Sequence, residues 1–384
     1  MARRLRLGMV GGGRGAFIGA VHRAAARLDD QWELVAGALS SAPETAISSA
    51  RDLGIAPDRA YRDFRQMAAA EAARADGIDA VAVTVPNHLH AAVTMAFLET
   101  GIHVICDKPL AATLEEAERI AEAVDRSEKC FILTHNYTGY PMVRHAAEIV
   151  RRGDLGKIRL VNAEYVQDWL AEDLENRGNR QAAWRTDPTR SGAGGSIGDI
   201  GTHAWHLINY VTGLRTTRLS ADLARLVHGR RLDDNAHVML QFEGGARGLL
   251  WSSQVAVGNE NAFRLRVFGD RGGLEWFQET PNHLLFTPLG GAQRRITRNG
   301  PEATAASRRV SRTPPGHPEG WQEAFATIYA EAARIIRAHR DGADVSKEVH
   351  APGLSDGLHG MRFIAACVAS SRADAQWVEL VPGG

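Results

Sequence analysis

The chain has 384 residues, and its 45 Lys and Arg are balanced by 45 Asp and Glu, so the formal net charge is zero. A balanced surface offers no cationic field to displace counterions from nucleic acid, and 44% hydrophobic with 23% charged residues is a globular rather than a disordered mixture. Three widely spaced cysteines, Cys106, Cys130 and Cys367, supply neither a disulfide framework nor a zinc ligand set and fit a reducing compartment.

Arg3-Arg4 leads into Leu5–Val10 and a glycine cluster, not into the apolar core of an export signal, so a cytoplasmic location is expected. Short apolar segments then recur at Leu5–Val10, Glu33–Ala38, Asp79–Thr84, His103–Cys106 and Phe131–Thr134. They lack period-two alternation, as strands buried on both faces do. Helical stretches lie between them at Ala16–Leu28, Pro43–Leu53, Asp63–Ala73, Leu89–Glu99 and Thr113–Ser127. The pattern predicts an α/β N-terminal Rossmann domain with a doubly wound parallel sheet over residues 1–135. Ala80–Leu98 is uncharged and long enough for a membrane span, but Pro86-Asn87-His88-Leu89-His90 in its middle makes it a strand, a turn and a helix, and no membrane partner is expected.

The pattern changes in residues 136–384. A helix over Val143–Arg152 is followed by strand candidates at Ile158–Val166, Arg218–Val227, Ala236–Phe242, Ala246–Val255, Phe263–Phe268, Leu274–Trp276 and Leu284–Phe286. Helices are expected at Ile197–Val211, Trp321–Ala338 and Gly357–Ser371. Short turns between successive strands, such as Glu243-Gly244-Gly245, predict an α+β C-terminal domain with a mostly antiparallel sheet. Gly290–Pro315 is polar and irregular and is expected to be a flexible loop.

The run Gly11-Gly12-Gly13-Arg14-Gly15-Ala16-Phe17-Ile18-Gly19 joins the first strand to the first helix. There, backbone N–H groups and a helix N-terminus approach a pyrophosphate, which makes Gly11, Gly13, Arg14, Gly15 and Ile18 candidates for cofactor binding. A tight turn alone also explains a glycine cluster. The second strand ends in Ser40-Ser41, without the acidic residue that would bond both ribose hydroxyls and without an arginine for a 2′-phosphate. NAD and NADP both stay open, with NAD slightly favoured. Pro86, Asn87 and His90 at one strand end, and Asp107-Lys108-Pro109 at the next, sit where a nicotinamide would lie.

Taken with Thr84–His90, Asp107-Lys108-Pro109, His135-Asn136-Tyr137 and Gly194-Gly195-Ser196-Ile197-Gly198-Asp199-Ile200-Gly201-Thr202-His203, this run resembles the Gfo/Idh/MocA family of NAD(P)-dependent sugar and cyclitol oxidoreductases. The resemblance implies that Lys108 and His203 carry the proton chemistry and that Asp199 orients substrate or histidine. It also implies that the second domain presents an open-faced sheet for a homodimer or homotetramer, and that no metal is used. The glycine turn departs from the family pattern by its extra residues between Gly13 and Gly19, which leaves open which glycine touches phosphate.

Asp199 and His203 are four apart at a helix start, on one face of an α-helix. Asp-x3-His also suits one metal, but no third ligand follows by spacing. Oxidising a secondary alcohol needs a hydride acceptor and a base for the hydroxyl proton. Lys108 is taken as that base with His203 as its bonded partner; the ranking of the two stays open. A polyol site needs polar forks and an aromatic floor, which Tyr165, Gln167, Asp168 and Trp169 supply, with Tyr137, Asn136, Trp184-Arg185 and His317 as further candidates near the substrate or nicotinamide. The reading is a dehydrogenase acting on a sugar, glycoside or cyclitol. The alternatives are a redox-neutral, NAD-dependent glycoside hydrolase and a non-catalytic binding protein of the same fold.

Overall fold

The computed structural model describes residues 3–380. Its first elements are β1 (Leu5–Gly11), α1 (Phe17–Leu28), β2 (Trp32–Ala38), α2 (Pro43–Asp52), α3 (Phe64–Ala73), β3 (Ala80–Thr84), α4 (His90–Glu99), β4 (His103–Cys106), α5 (Leu114–Ser127) and β5 (Phe131–Leu133). The strands form a parallel sheet in the order β2-β1-β3-β4-β5. Every residue of β3 and β4 is buried, which is why neither strand alternates in sequence. Helix starts follow local chemistry. Asp63 accepts the first-turn N–H groups of α3, and Thr113 and Glu116 close a capping box on α5.

The chain continues through α6 (Pro141–Arg151), β6 (Ile158–Val166), α7 (Arg180–Arg185), α8 (Pro188–Ser191), a π-turn at Ile197–Gly201, α9 (Thr202–Thr212), β7 (Thr216–Ala224), β8 (Asn235–Phe242), β9 (Arg247–Ser253) and β10 (Ala262–Gly269). It ends with β11 (Gly272–Phe277), β12 (His283–Pro288), β13 (Arg294–Thr297), α10 (Ala305–Val310), α11 (Trp321–Asp341), α12 (Leu354–Arg372) and β14 (Val378–Glu379). The second sheet runs β13-β12-β11-β10-β6-β9-β8-β7-β14. It is antiparallel except where β6 pairs with β9. Period-two alternation sorts its faces. Val161, Ala163, Tyr165, Phe263, Leu265, Leu250 and Ser252 are buried on the face that α6 and α9 cover. Register places Leu160 opposite Phe268 and Leu249 opposite Met239 on the other face, where all four are exposed.

Contacts divide the chain differently from a single cut after residue 135. The first unit extends to Asn136 and takes back Gln322–Leu358; the second holds Tyr137–Trp321 and residues from His359 onward. Specific anchors explain this return of α11. The Tyr329 hydroxyl lies 2.8 Å from His22 Nδ1, and Trp32 Nε1 donates to the Tyr329 carbonyl at 2.8 Å. Asp79 receives the Arg3 guanidinium at 2.8 and 2.9 Å, and Arg340 from α11 as well.

Gly290–Pro315 is also not a flexible loop. It contains β13 and α10, and the buried Arg298 guanidinium ties the following turn down. Arg298 bonds Asn282 Oδ1 and the Thr313 carbonyl, each at 2.8 Å, and pairs with buried Glu319 at 2.8 Å. One buried arginine with five donors organises a stretch that has no apolar periodicity to announce it.

Candidate functional site

In the first unit the glycine turn is packed backbone on backbone. A Cβ at Gly12 would meet Gly19 Cα at 2.8 Å, and a Cβ at Gly19 would meet Gly12 Cα at 2.3 Å. Gly11 and Gly12 adopt φ of 80° and 72°, a region that side chains avoid. Gly13 donates its N–H to Leu39 O at 3.1 Å, against the end of β2. No side chain caps α1 and no acidic residue lies in its first turn, so the positive helix end is not neutralised from within. Gly15 is exposed and Ile18 half-buried. Arg14, expected at the pyrophosphate, instead holds Asp52 at 2.5 and 2.8 Å in an exposed ion pair. Ser40 accepts the Ala42 N–H at 3.1 Å, and Ser41 is exposed.

The turns after β3, β4 and β5 are held by side chains that sequence reading assigned to the cofactor. Pro86 precedes a one-turn helix at Asn87–Leu89, and Asn87 is buried. His90 is fully buried, with Nδ1 2.8 Å from Pro109 O and Nε2 2.9 Å from Val85 O. Burial lowers its pKa, and the single N–H of the neutral ring donates to one of these two carbonyls while the ring stays packed against the other turn. Asp107 Oδ1 accepts the Lys108 N–H at 3.0 Å and the Thr134 hydroxyl at 2.8 Å, with His22 Nε2 3.8 Å away. Burial pushes the Asp107 carboxyl up, but His22, Lys108 and Thr134 outweigh it and hold the group well below the usual carboxylate range. His90 and Asp107 thus fix the loop that carries half-buried Lys108. Asn136 is buried, and its Nδ2 has no hydrogen-bond partner among the described residues. An orphaned amide donor and a Cβ-intolerant glycine cradle are what a bound dinucleotide would satisfy.

The second unit has its own polar cluster. His203, buried on α9, meets the Tyr137 ring edge-on at 4.9 Å and the Tyr165 ring at 6.2 Å. The two tyrosine hydroxyls are bonded to each other, and Tyr165 donates to Asn261 Oδ1 at 2.9 Å. Gln167 Nε2 reaches the same oxygen at 2.6 Å. Burial pushes the Tyr137 hydroxyl up to about 12 and holds the Tyr165 hydroxyl well above its ordinary value, so both stay neutral hydroxyls. Asp199 lies in the π-turn, not on the α-helix that its four-residue spacing to His203 assumed. Its Oδ2 accepts from Gln254 Nε2 at 2.9 Å and lies 3.4 Å from Arg185 Nε.

That π-turn is set by Asp233. Its buried carboxylate accepts the Gly195 N–H at 2.6 Å and the Ile197 N–H at 2.8 Å, while its carbonyl accepts Ser196 N–H at 2.7 Å. A Cβ at Gly195 would lie 2.0 Å from that carbonyl, which explains a glycine there. Burial raises the Asp233 pKa to about 6.

The remaining candidates separate. Trp184 sits in α7, and its ring lies under the Arg185 guanidinium at 4.3 Å, with Trp169 6.0 Å from the same cation. The two indoles therefore hold Arg185 by cation–π contact rather than presenting both faces to a ligand. Asp168 accepts the Gly258 N–H at 3.0 Å. The His317 side chain is exposed, and its carbonyl is bonded by Arg298 and by Thr313 Oγ1 at 2.9 Å. Sequence reading missed Asp233, Gln254 and Asn261. Each sits at a strand end, and the acidic pair Asp233-Asp234 before β8 was the one local signal. Spacing also concealed that His103, Cys130 and His339 bring ligand atoms within 4.8 Å of one another. His103 Nδ1 already accepts the Cys130 N–H at 3.0 Å, so its other nitrogen carries the proton and does not suit a metal.

Known proteins agree with this architecture. Residues 5–148 match the oxidoreductase family with the NAD-binding Rossmann fold, and residues 143–275 match the GFO/IDH/MocA C-terminal domain. An oxidoreductase from Sinorhizobium meliloti superposes with a TM-score of 0.90 at 53% identity, over 98% of this chain and 100% of that one. An inositol dehydrogenase homolog from Azotobacter vinelandii, solved with NAD+, gives 0.96 at 36% identity over 99% and 98% of the two chains; it was also solved with NADH and myo-inositol. Levoglucosan dehydrogenase of Pseudarthrobacter phenanthrenivorans is 26% identical over 98% of each chain. The first unit is thus an NAD-binding Rossmann domain carried by an oxidoreductase fold. This chain belongs to the GFO/IDH/MocA oxidoreductase family. Among the described residues, no helix is long and apolar enough to cross a membrane.

Two variants test how the site is held. His90→Ala is expected to cost about 1–3 kcal/mol in chemical denaturation and to lower kcat with little change in NAD affinity. His90→Gln, which retains a donor, should recover part of both losses, and an unchanged kcat in His90→Ala would show that the Lys108 loop does not depend on His90. Asp233→Asn turns an amide N–H against one of two backbone donors and is expected to cost a similar amount, about 1–3 kcal/mol. Because the folded carboxyl titrates above its ordinary value, its contribution is full below about pH 4 and is lost as pH rises through about 6. The stability gap between wild type and variant should therefore be wider at pH 4 than at pH 7, and a gap that widens toward neutrality would contradict the assignment.

Proposed function

We propose that this protein oxidises a secondary hydroxyl of a sugar, glycoside or cyclitol, with NAD as the hydride acceptor. The observation that carries the reading is the cluster of buried His203, Tyr137 and Tyr165 with half-buried Gln167 and Asn261. It offers neutral hydroxyl and amide groups together with aromatic faces, the chemistry that recognises a polyol. The relatives support the class, since one binds myo-inositol with NADH and another is a levoglucosan dehydrogenase. NAD rather than NADP fits Ser40-Ser41 just past the end of β2, with no arginine next to them along the chain.

When bound, NAD supplies hydride acceptance at its nicotinamide ring. In this reading Lys108 takes the hydroxyl proton, and His203 bonds the same hydroxyl and orients it. The Gln254–Asp199–Arg185 contacts hold a carboxylate ready to accept a neighbouring hydroxyl. The Asp107 and His90 bonds keep the Lys108 loop in one place. Asn136 Nδ2 is a donor for the cofactor. Self-association through the open sheet face, where Leu160, Met239, Leu249 and Phe268 are exposed, completes the reading as a homodimer or homotetramer.

Lys108→Ala is expected to lower kcat by about 10²–10⁴ while NAD affinity stays within a few-fold, with turnover followed as net NADH formation on a panel of sugars, inositols and glycosides. His203→Ala should do the same, and the double variant should lose less than the product of the two if they act as one unit. An unchanged kcat in either folded variant removes that residue from the chemistry, and aglycone release without NADH would replace net oxidation. Sedimentation equilibrium should find a dimer or tetramer that Leu249→Glu dissociates; a wild-type monomer would reject the open-face assignment.

A further inference from the structure

The second unit contains a cavity of about 980 Å³ whose lining, Asn261 apart, has no part in the proposed chemistry. That is near the upper end of the roughly 300–1,000 Å³ typical of small-molecule sites, more than one sugar ring needs. It adjoins the polyol cluster through one residue. Asn261 turns its Oδ1 to Tyr165 and Gln167, and its Nδ2 donates to Gln278 Oε1 at 3.0 Å. Gln278, which lines the cavity, donates in turn to the Tyr140 hydroxyl at 3.1 Å. The backbone N–H of Asn261 is held by Glu279 Oε1 at 3.2 Å. The amide of Asn261 is therefore a shared wall, fixed from both sides, between the polyol cluster and the cavity.

The lining has a definite chemistry. Amide, hydroxyl and aromatic groups predominate, and the residues around the cavity include no lysine or arginine. The exposed Glu260 and Glu279 lie at its rim. Carboxylates without cations repel phosphorylated and uronic sugars, whereas neutral sugars bond to such amides and pack C–H faces on rings. We infer that this cavity is a subsite for a second, neutral glycosyl residue, so that the substrate is a disaccharide or an extended glycoside whose reacting residue occupies the Tyr165–Gln167–Asn261 cluster. This rests on the oxidoreductase reading for the position of the reacting residue, but the subsite can be tested by binding alone.

The test is calorimetric titration of the NADH-loaded protein, which cannot oxidise the added sugar, with glucose, methyl glucoside, cellobiose, maltose and the acidic disaccharide cellobionate. At least one neutral disaccharide should bind tenfold or more tightly than glucose and methyl glucoside. Thr280, an exposed residue of the lining, provides a plug. Thr280→Trp should abolish the disaccharide advantage and leave glucose binding within twofold. Glu260→Lys, at an exposed position, should narrow the preference for cellobiose over cellobionate. Equal binding of mono- and disaccharides, or a disaccharide advantage that survives both substitutions, overturns the subsite. Disaccharide binding that responds to both substitutions, without NADH formation from any sugar by the NAD-loaded enzyme, leaves the subsite standing and removes the oxidation reading. Oxidation of a monosaccharide with no disaccharide preference does the reverse.

Discussion

A parallel sheet buried on both faces brings every carboxyl strand end to one edge, and there the backbone must leave the ladder and find other partners. In the first unit those partners are side chains. His90 spans the carbonyls of Val85 and Pro109, and Asp107 takes the Lys108 N–H and the Thr134 hydroxyl. The loops at this edge are thereby tied to one another, and the Lys108 loop gains a fixed origin without being part of a strand. The glycine turn meets the same constraint differently. Gly12 and Gly19 pack backbone to backbone, which leaves the uncapped start of α1 as the charge-accepting end of the edge.

In the second unit the governing constraint is alternation. One face of the nine-stranded sheet buries Tyr165, Phe263 and Ser252 beneath α6 and α9, and the other leaves Leu160, Met239, Leu249 and Phe268 exposed. A one-residue slip would exchange those faces, so the register that places Tyr165 beside Phe263 also sets where the Tyr165 hydroxyl lies. Asp233 couples this sheet to the helix that bears His203. Its carboxylate satisfies two N–H groups that a π-turn leaves free of the helical pattern, so the turn that presents Asp199 is held by a single buried acid.

Much of this was legible in residue order. The strands of the first unit carry unbroken apolar runs, and the glycine turn, Lys108-Pro109 and the Gly194–His203 run lie in recognisable sequence. What sequence order hid were interactions closed over long separations. α11 returns to the first unit because Tyr329 and Arg340 find His22 and Asp79. The polar stretch after residue 290 is ordered because Arg298 finds Asn282, Thr313 and Glu319. Neither pairing leaves a periodic trace. Arg14 and the two tryptophans carried the right chemistry for a ligand, yet Asp52 and Arg185 are their neighbours in space.

The sequence by itself determined the two fold classes, the places of the main strands and helices, and the family, because burial on one face, two faces or a helical stripe writes a period into the chain, and because glycines that cannot tolerate a Cβ sit at fixed points of a motif. Only the tertiary structure decided which partner each of these polar residues bonds. His90 and Asp107 became braces, Asn261 and Asp233 became hubs, and Asp199 lies in a π-turn rather than in the α-helix that its spacing to His203 assumed. Those assignments depend on the direction of individual donors and acceptors across elements far apart in the chain, and hydrogen-bond direction, unlike hydrophobic burial, leaves no period in a sequence.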